Sequence, residues 1–192
     1  MLLRGYMIIW HRINTIEELN EIPLEDGVEI DVRSNKGVPY LSHFINEDGV
    51  FFEDWLKHYH LKGTLVVNVK EEGLEEIIIN LLNKYNITNY MFLDEPFWYM
   101  INASRKYNNK NFAIRVSKFE SIHTALQSRE FSDWIWYDYF DDYIDVYIIK
   151  VLSEIGFKII MPSPELVNSN KEYDSILKEN NIELWAVCKD RR

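Results

Sequence analysis

Two hydrophobic periods alternate along the whole of this chain, and that alternation limits its fold more than any other feature. Short β-branched and aromatic runs occupy 6–12, 27–33, 64–70, 89–94, 111–116, 133–138, 157–162 and 182–188, each the length of a strand. Between them apolar residues return with helical spacing. The clearest case is Leu74, Ile77, Ile78, Leu81, Leu82 and Tyr85, which share one face at 3.6 residues per turn. A second face, Ile144, Tyr147, Ile148, Val151, Leu152 and Ile155, stops before Gly156, a residue suited to left-handed backbone at a helix end. Further helices are predicted at 15–21, 52–59, 96–107, 119–128 and 171–180, the first opened by Thr15 and Glu18 at capping-box spacing. Strand and helix alternating in this way predict a parallel sheet, and eight strands are the number that closes into a (β/α)8 barrel. The expected fold is a small α/β TIM barrel of parallel strands. An open doubly wound sheet is the competitor, but no glycine-rich phosphate loop follows an early strand. No linker, repeat or biased stretch divides the chain, so 1–192 is expected to be one domain.

Composition narrows the partners. Twenty-one Lys plus Arg against thirty-one Asp plus Glu give a net charge of −10, with no basic stretch to follow a nucleic-acid backbone. Nucleic acid and anionic membrane are poor partners on that ground, and an anionic small substrate would need local cations or a metal. No apolar run reaches the roughly 18 residues of a membrane span, and no signal segment with a cleavage site opens the chain. Cys188, the one cysteine, has no internal disulfide partner and reads as a small buried hydrophobe. A cytoplasmic location is expected; nothing in the pattern specifies an oligomeric state.

Strands covered on both faces read as continuous apolar runs, and several here do not. In Val28-Glu29-Ile30-Asp31-Val32-Arg33 the period of two sends Glu29, Asp31 and Arg33 to one face and the valines and isoleucine to the other. The apolar face should meet the helices, leaving two carboxylates about 6–7 Å apart on the inner side. A hard cation such as Mg²⁺ or Ca²⁺ would offset their burial. The same parity turns Asn68 and Lys70 inward. His11, with Arg12 beside it, closes the first strand, and His43 follows the second. All fall at carboxyl ends of strands, where barrels of this kind carry active sites. The chemistry suited to the set is cleavage of a phosphate diester: a cation and Lys70 or Arg12 offset charge, while one imidazole removes a proton and the other returns one.

His11-Arg12, Val28-Glu29-Ile30-Asp31-Val32-Arg33, Leu41-Ser42-His43 and Asn68-Val69-Lys70 together resemble the glycerophosphodiester phosphodiesterase family, within the phospholipase C-like phosphodiesterase barrels. The resemblance covers about the first 70 residues closely. It implies general acid and base roles for His11 and His43, metal binding by Glu29 and Asp31, a match of Lys70 to the family's lysine, and attack by a neighbouring substrate hydroxyl to give a cyclic phosphate. The chain departs from the family pattern in several places: Ile13 replaces glycine, Asn14-Thr15 is a shortened form of the longer motif usual there, Phe44 replaces a common aspartate, Asn68 stands where a third carboxylate ligand is usual, and the inserted substrate-covering segment of longer relatives is lacking. Asn68 would then be a weaker amide ligand.

Arg115 and Asp138 end later strands and either pair with each other in the mouth or bind substrate. Asp94 reads the same way or as a helix start, and the later acids of Asp138-Tyr139-Phe140-Asp141-Asp142 as caps of the next helix. Trp134, Trp136 and Trp185 read as core or rim residues, with Trp185 also a flat surface for a sugar or glycerol group. Two other functions fit the same residues: a non-catalytic barrel binding a phosphorylated ligand, suggested by Asn68 and Phe44, and a lyase or aldolase using Lys70.

Overall fold

The computed structural model describes residues 6–45 and 47–191. Its centre is a ten-stranded sheet. In chain order the strands are β1 (Met7–Trp10), β2 (Gly27–Asn35), β3 (Val38–Leu41), β4 (Val50–Phe51), β5 (Leu65–Val69), β6 (Tyr90–Leu93), β7 (Ala113–Val116), β8 (Trp134–Tyr137), β9 (Lys158–Pro162) and β10 (Ala186–Lys189). The helices between them are α1 (Ile16–Asn20), α2 (Phe52–Leu56), α3 (Glu75–Lys84), α4 (Phe97–Tyr107), α5 (Ile122–Gln127), α6 (Val146–Glu154) and α7 (Asp174–Glu179). Local chemistry accounts for several boundaries. Thr15 and Glu18 form the reciprocal capping box that starts α1, and Gly156 takes φ +91° after α6. The cap of α6 is Asp145, whose carboxylate accepts from the Ile148 N–H at 3.1 Å; Asp141 and Asp142, expected in that role, lie in the preceding turn and bond to Lys118 and Ser169 instead.

Parallel ladders join β7, β8, β9, β10, β1, β2, β5 and β6 in that order. The two ends, β6 and β7, meet through one bridge between Phe92 and Phe112, where the Phe92 N–H donates to the Asn111 carbonyl at 2.7 Å. The phenyl rings stack there at 4.8 Å. The expected eight parallel strands are present in the expected order, but this last edge is a single bridge in place of a ladder. Phe112 precedes β7 and lies opposite Phe92, so the two short strands are offset and barely overlap. A second departure is antiparallel. β2 runs on into a hairpin with β3, from Val32 opposite Leu41 to Asn35 opposite Val38, across a turn with Lys36 and Gly37 at φ 51° and 80°. Two left-handed residues are what a two-residue hairpin turn requires.

Strand parity divides the core in two. Val28, Ile30 and Val32 of β2, with Leu65, Val67 and Val69 of β5, join the layer packed on the helices, where Ile78 and Leu82 of α3 are fully buried. The inner face carries Ile9, Val66, Met91, Trp134, Ile160 and Cys188, and burial pushes the Cys188 thiol well up. Toward the amino-terminal end of the strands Lys158 lies over the rings of Trp134 and Trp185, at 4.5 and 4.6 Å. Polar side chains replace this apolar filling at the carboxyl ends. Among the described residues no helix is long and apolar enough to cross a membrane.

Candidate active site

Five strand ends set the site. The His11 N–H donates to the Lys189 carbonyl at 2.9 Å, extending the β1–β10 pairing by one residue. Arg12 then takes φ 54°, and its backbone N–H turns to donate to Glu29 Oε2 at 2.8 Å. Glu29 and Asp31 occupy the inner face of β2, exposed at 1% and 0%, as the alternation requires. Asp31 lies opposite Asn68 in the β2–β5 register. The Lys70 N–H donates to the Val32 carbonyl at 2.9 Å, which holds that residue at the rim. His43 returns to the mouth behind β3 because the Ser42 N–H donates to the Asp31 carbonyl at 3.1 Å, while the Arg33 guanidinium grips the His43 carbonyl at 3.0 Å.

The two imidazoles are each backed by a carboxylate. His11 Nδ1 lies 2.8 Å from Asp190 Oδ1, and its Nε2 lies 3.9 Å from Glu29 Oε2. His43 Nδ1 lies 3.1 Å from Asp31 Oδ1, and its Nε2 accepts from Arg12 Nη2 at 2.8 Å. A guanidinium only donates, so Nε2 is the acceptor in this contact, and the Nδ1–H of His43 donates to Asp31 Oδ1. Asp31 is also held by Lys70 Nζ at 2.9 Å and by the Asn14 amide at 2.9 Å. Burial works to raise the Asp31 pKa, but the Asn14, Lys70 and His43 donors outweigh it and hold the carboxyl below its ordinary range. Glu29 goes the other way. Burial, followed by the neighbouring charge of Asp31, pushes it up to about 7, against the opposing Arg12 N–H and the Lys70 charge.

Glu29 and Asp31 are thus buried together with unequal support. Asn68 donates to Glu29, yet its Oδ1 is buried without a hydrogen-bond partner. A buried acceptor left open beside two carboxylates is the pattern a hard cation satisfies. The residues present fit Mg²⁺ or Ca²⁺ as two carboxylates and one amide oxygen. Among the described residues no three His, Cys, Asp or Glu side chains gather as a metal site.

A pocket of about 280 Å³ brings His11, Arg12, Glu29, Asp31, His43, Asn68, Lys70, Arg115 and Asp138 together. Arg115 pairs with both Asp138 and Asp94. Asp138 is 3% exposed and accepts from Trp136 Nε1 at 3.0 Å; burial raises its pKa although Arg115 opposes it. Trp185 does not join them. It precedes β10, donates from Nε1 to Thr64 Oγ1 at 2.9 Å ahead of β5, and stands edge-on to Trp134 at 5.6 Å. That is the amino-terminal end of the strands, so Trp185 is a floor residue and presents no surface to a substrate in the pocket. Two partners escaped the sequence reading. Asn14 brackets Asp31 from both sides, accepting its N–H and donating to its carboxylate, each at 2.9 Å. Asp190 sits just past β10, the same strand-end position that singled out Arg115 and Asp138, and that rule would have found it.

No family sequence model and no curated protein sequence matches this chain. Solved structures do. A glycerophosphodiester phosphodiesterase from Agrobacterium tumefaciens is similar at a TM-score of 0.70 and 12% identity, covering 97% of each chain. A glycerophosphoryl diester phosphodiesterase from Parabacteroides distasonis gives 0.67 and 15%, over all of this chain and 85% of the other. A phosphodiesterase from Oleispira antarctica, solved with its product sn-glycerol-3-phosphate, gives 0.64 and 16%, over 96% and 92%. The chain shares the fold of the glycerophosphodiester phosphodiesterases over nearly its whole length.

Proposed function

We propose that this chain is a divalent-cation-dependent phosphoric diester hydrolase of the glycerophosphodiester phosphodiesterase type, acting at the mouth of a (β/α)8 barrel. The observation that carries the reading is the convergence of two carboxylate-backed imidazoles on two buried carboxylates and an open amide oxygen. Glu29, Asp31 and Asn68 would hold Mg²⁺ or Ca²⁺, which supplies charge neutralisation for the bound phosphate. Arg12 and Lys70 bind the anionic phosphate oxygens. Arg12 rests on His43 Nε2 in the free protein and turns to the phosphate for His43 to act. One imidazole takes the proton from a substrate hydroxyl beside the phosphate, the freed oxygen bonds to phosphorus, the bond from phosphorus to the leaving oxygen breaks, and the second imidazole gives that oxygen a proton. Water opens the cyclic phosphate with the two imidazoles in reversed roles. The product in the Oleispira antarctica structure favours a glycerol phosphate as the retained part.

Two features support a second reading, a barrel that binds a phosphorylated ligand without cleaving it. The third ligand is an amide, and Asp31 already accepts from His43, Lys70 and Asn14. Lys70 Nζ is engaged by Asp31 at 2.9 Å, which speaks against its use as a Schiff-base former. Phosphorus NMR of a glycerophosphodiester incubated with the protein decides between the first two. Signals of a cyclic phosphate or monoester appearing with Mg²⁺ or Ca²⁺ and not with a chelator are expected; an unchanged diester with every divalent cation would leave binding alone.

A further inference from the structure

The inner face of β2 continues beyond the pocket. Arg33 follows Glu29 and Asp31 on the same parity, about 6–7 Å further toward the mouth. The β2–β3–β4 ribbon carries that face outward, with Arg33 opposite Tyr40 and Tyr40 opposite Phe51. Arg33 is half-buried at the foot of this ribbon, and its Nε and Nη2 donate to the His43 carbonyl at 3.4 and 3.0 Å. Among the described residues Nη1 has no acceptor, and no carboxylate lies within ion-pair distance of the guanidinium. Glu71, just past β5, is taken by the Ser34 N–H and hydroxyl at 3.1 and 2.8 Å. The Arg12 side chain likewise meets no carboxylate among the described residues and rests on His43 Nε2. Two guanidinium groups without a carboxylate thus flank one histidine in a chain of net charge −10. The proposed reaction uses only Arg12.

We infer that Arg33 binds a second anionic group of the substrate, a carboxylate carried on one alcohol of the diester. The inference rests on the proposed phosphodiester reaction and adds the class of alcohol to it. Charge favours it. A divalent cation, Lys70, Arg12 and Arg33 face Glu29, Asp31 and Asp190 on this side of the mouth, and a phosphate diester brings one negative charge, which leaves positive charge unmatched. A carboxylate supplies the missing charge, whereas a phosphomonoester brings nearly two. Reach agrees with charge. The second anion lies one strand repeat, about 6–7 Å, beyond the carboxylates that would hold the cation and the phosphate, and a spacer of three carbons between ester oxygen and carboxyl covers that distance. Geometry also agrees, because Arg33 keeps the His43 carbonyl on its Nε edge while Nη1 and the outer N–H of Nη2 form the parallel pair of donors that a carboxylate accepts.

Calorimetry in Mg²⁺ with 3-carboxypropyl methyl phosphate and with its carboxamide, which differ in charge alone, tests the inference on the full chain. Neither ester has a hydroxyl beside its phosphate, so neither is opened by the proposed route and binding is read without turnover. The acid is expected to bind about five- to tenfold more tightly than the amide. In Arg33→Gln the ratio should fall to about one, and in Arg33→Lys, which keeps the charge without the fork, to about two- to threefold. Equal binding of the two esters by the wild type, or a ratio that survives in Arg33→Gln, would overturn it. Phosphorus NMR of a glycerophosphodiester keeps the two readings apart: hydrolysis with a ratio of one removes the anion site alone, and an intact diester with the ratio preserved removes the hydrolysis alone. Failure of both esters to bind would overturn both.

Discussion

The two sides of the mouth handle buried charge in opposite ways. On the side of β1, β2 and β5, Glu29 and Asp31 are buried with unequal support, Asn68 keeps an acceptor open, and both imidazoles face the same space. On the side of β6, β7 and β8, Asp94 and Asp138 are closed onto Arg115. Both sets occupy the carboxyl ends of strands in one sheet. The first leaves an acceptor and a buried carboxyl without full support, and the second neutralises much of its charge internally. Fold position alone therefore does not separate reacting groups from structural ones; the state of their lone pairs does.

The comparison breaks most visibly at the histidines. His11→Ala and His43→Ala are each expected to lower turnover of a phosphodiester by about 10²–10⁴-fold while leaving the urea unfolding midpoint near that of the wild type; a similar activity loss in Arg115→Ala would erase the contrast. Arg115→Ala should show its effect in stability. Removing the guanidinium strands Asp138 at 3% exposure, a loss of about 3 kcal/mol by chemical denaturation, and turnover should fall far less than in the histidine variants.

Glu29 sharpens the comparison through pH. Its pKa lies above the ordinary 4.5, at about 7, so between these values the folded protein holds a proton that the unfolded chain has released. Stability should therefore fall as pH rises from 4.5 to 7, by about 3 kcal/mol in the absence of divalent cations. Glu29→Gln should flatten that slope in urea titrations at several pH values, and an unchanged slope would locate the effect elsewhere. The smallest effect is assigned to the floor. Trp185→Phe removes the bond to Thr64, costs about 1 kcal/mol, and leaves KM and kcat for the diester unaltered.

How much of this was legible in the sequence follows from what period and parity encode. A period of two places Glu29 and Asp31 inside as soon as Val28, Ile30 and Val32 are given to the helices, and His11, His43 and Lys70 follow from their positions after strands. Trp185 was misplaced because the apolar run 182–188 begins before the strand does: β10 starts at Ala186, which leaves the indole at the opposite end from the site. The β2–β3 hairpin was missed: its two-residue turn is Lys36-Gly37, and a lysine in left-handed backbone is not a residue that marks such a turn in advance. The offset that leaves β6 and β7 a single bridge has no sequence period, since it depends on where Phe92 and Phe112 meet once the other strands are in place.

The central claim is that the β2–β5 side is completed by one hard cation. Isothermal titration of Mg²⁺ and of Ca²⁺ into the protein tests it most directly. One site is expected in the wild type, none in the double variant Glu29→Gln with Asp31→Asn, an unchanged site in Glu120→Gln, and tighter binding in Asn68→Asp, which restores a charged ligand. Binding of the same strength in the double variant, or no binding in the wild type and in Asn68→Asp alike, would contradict it.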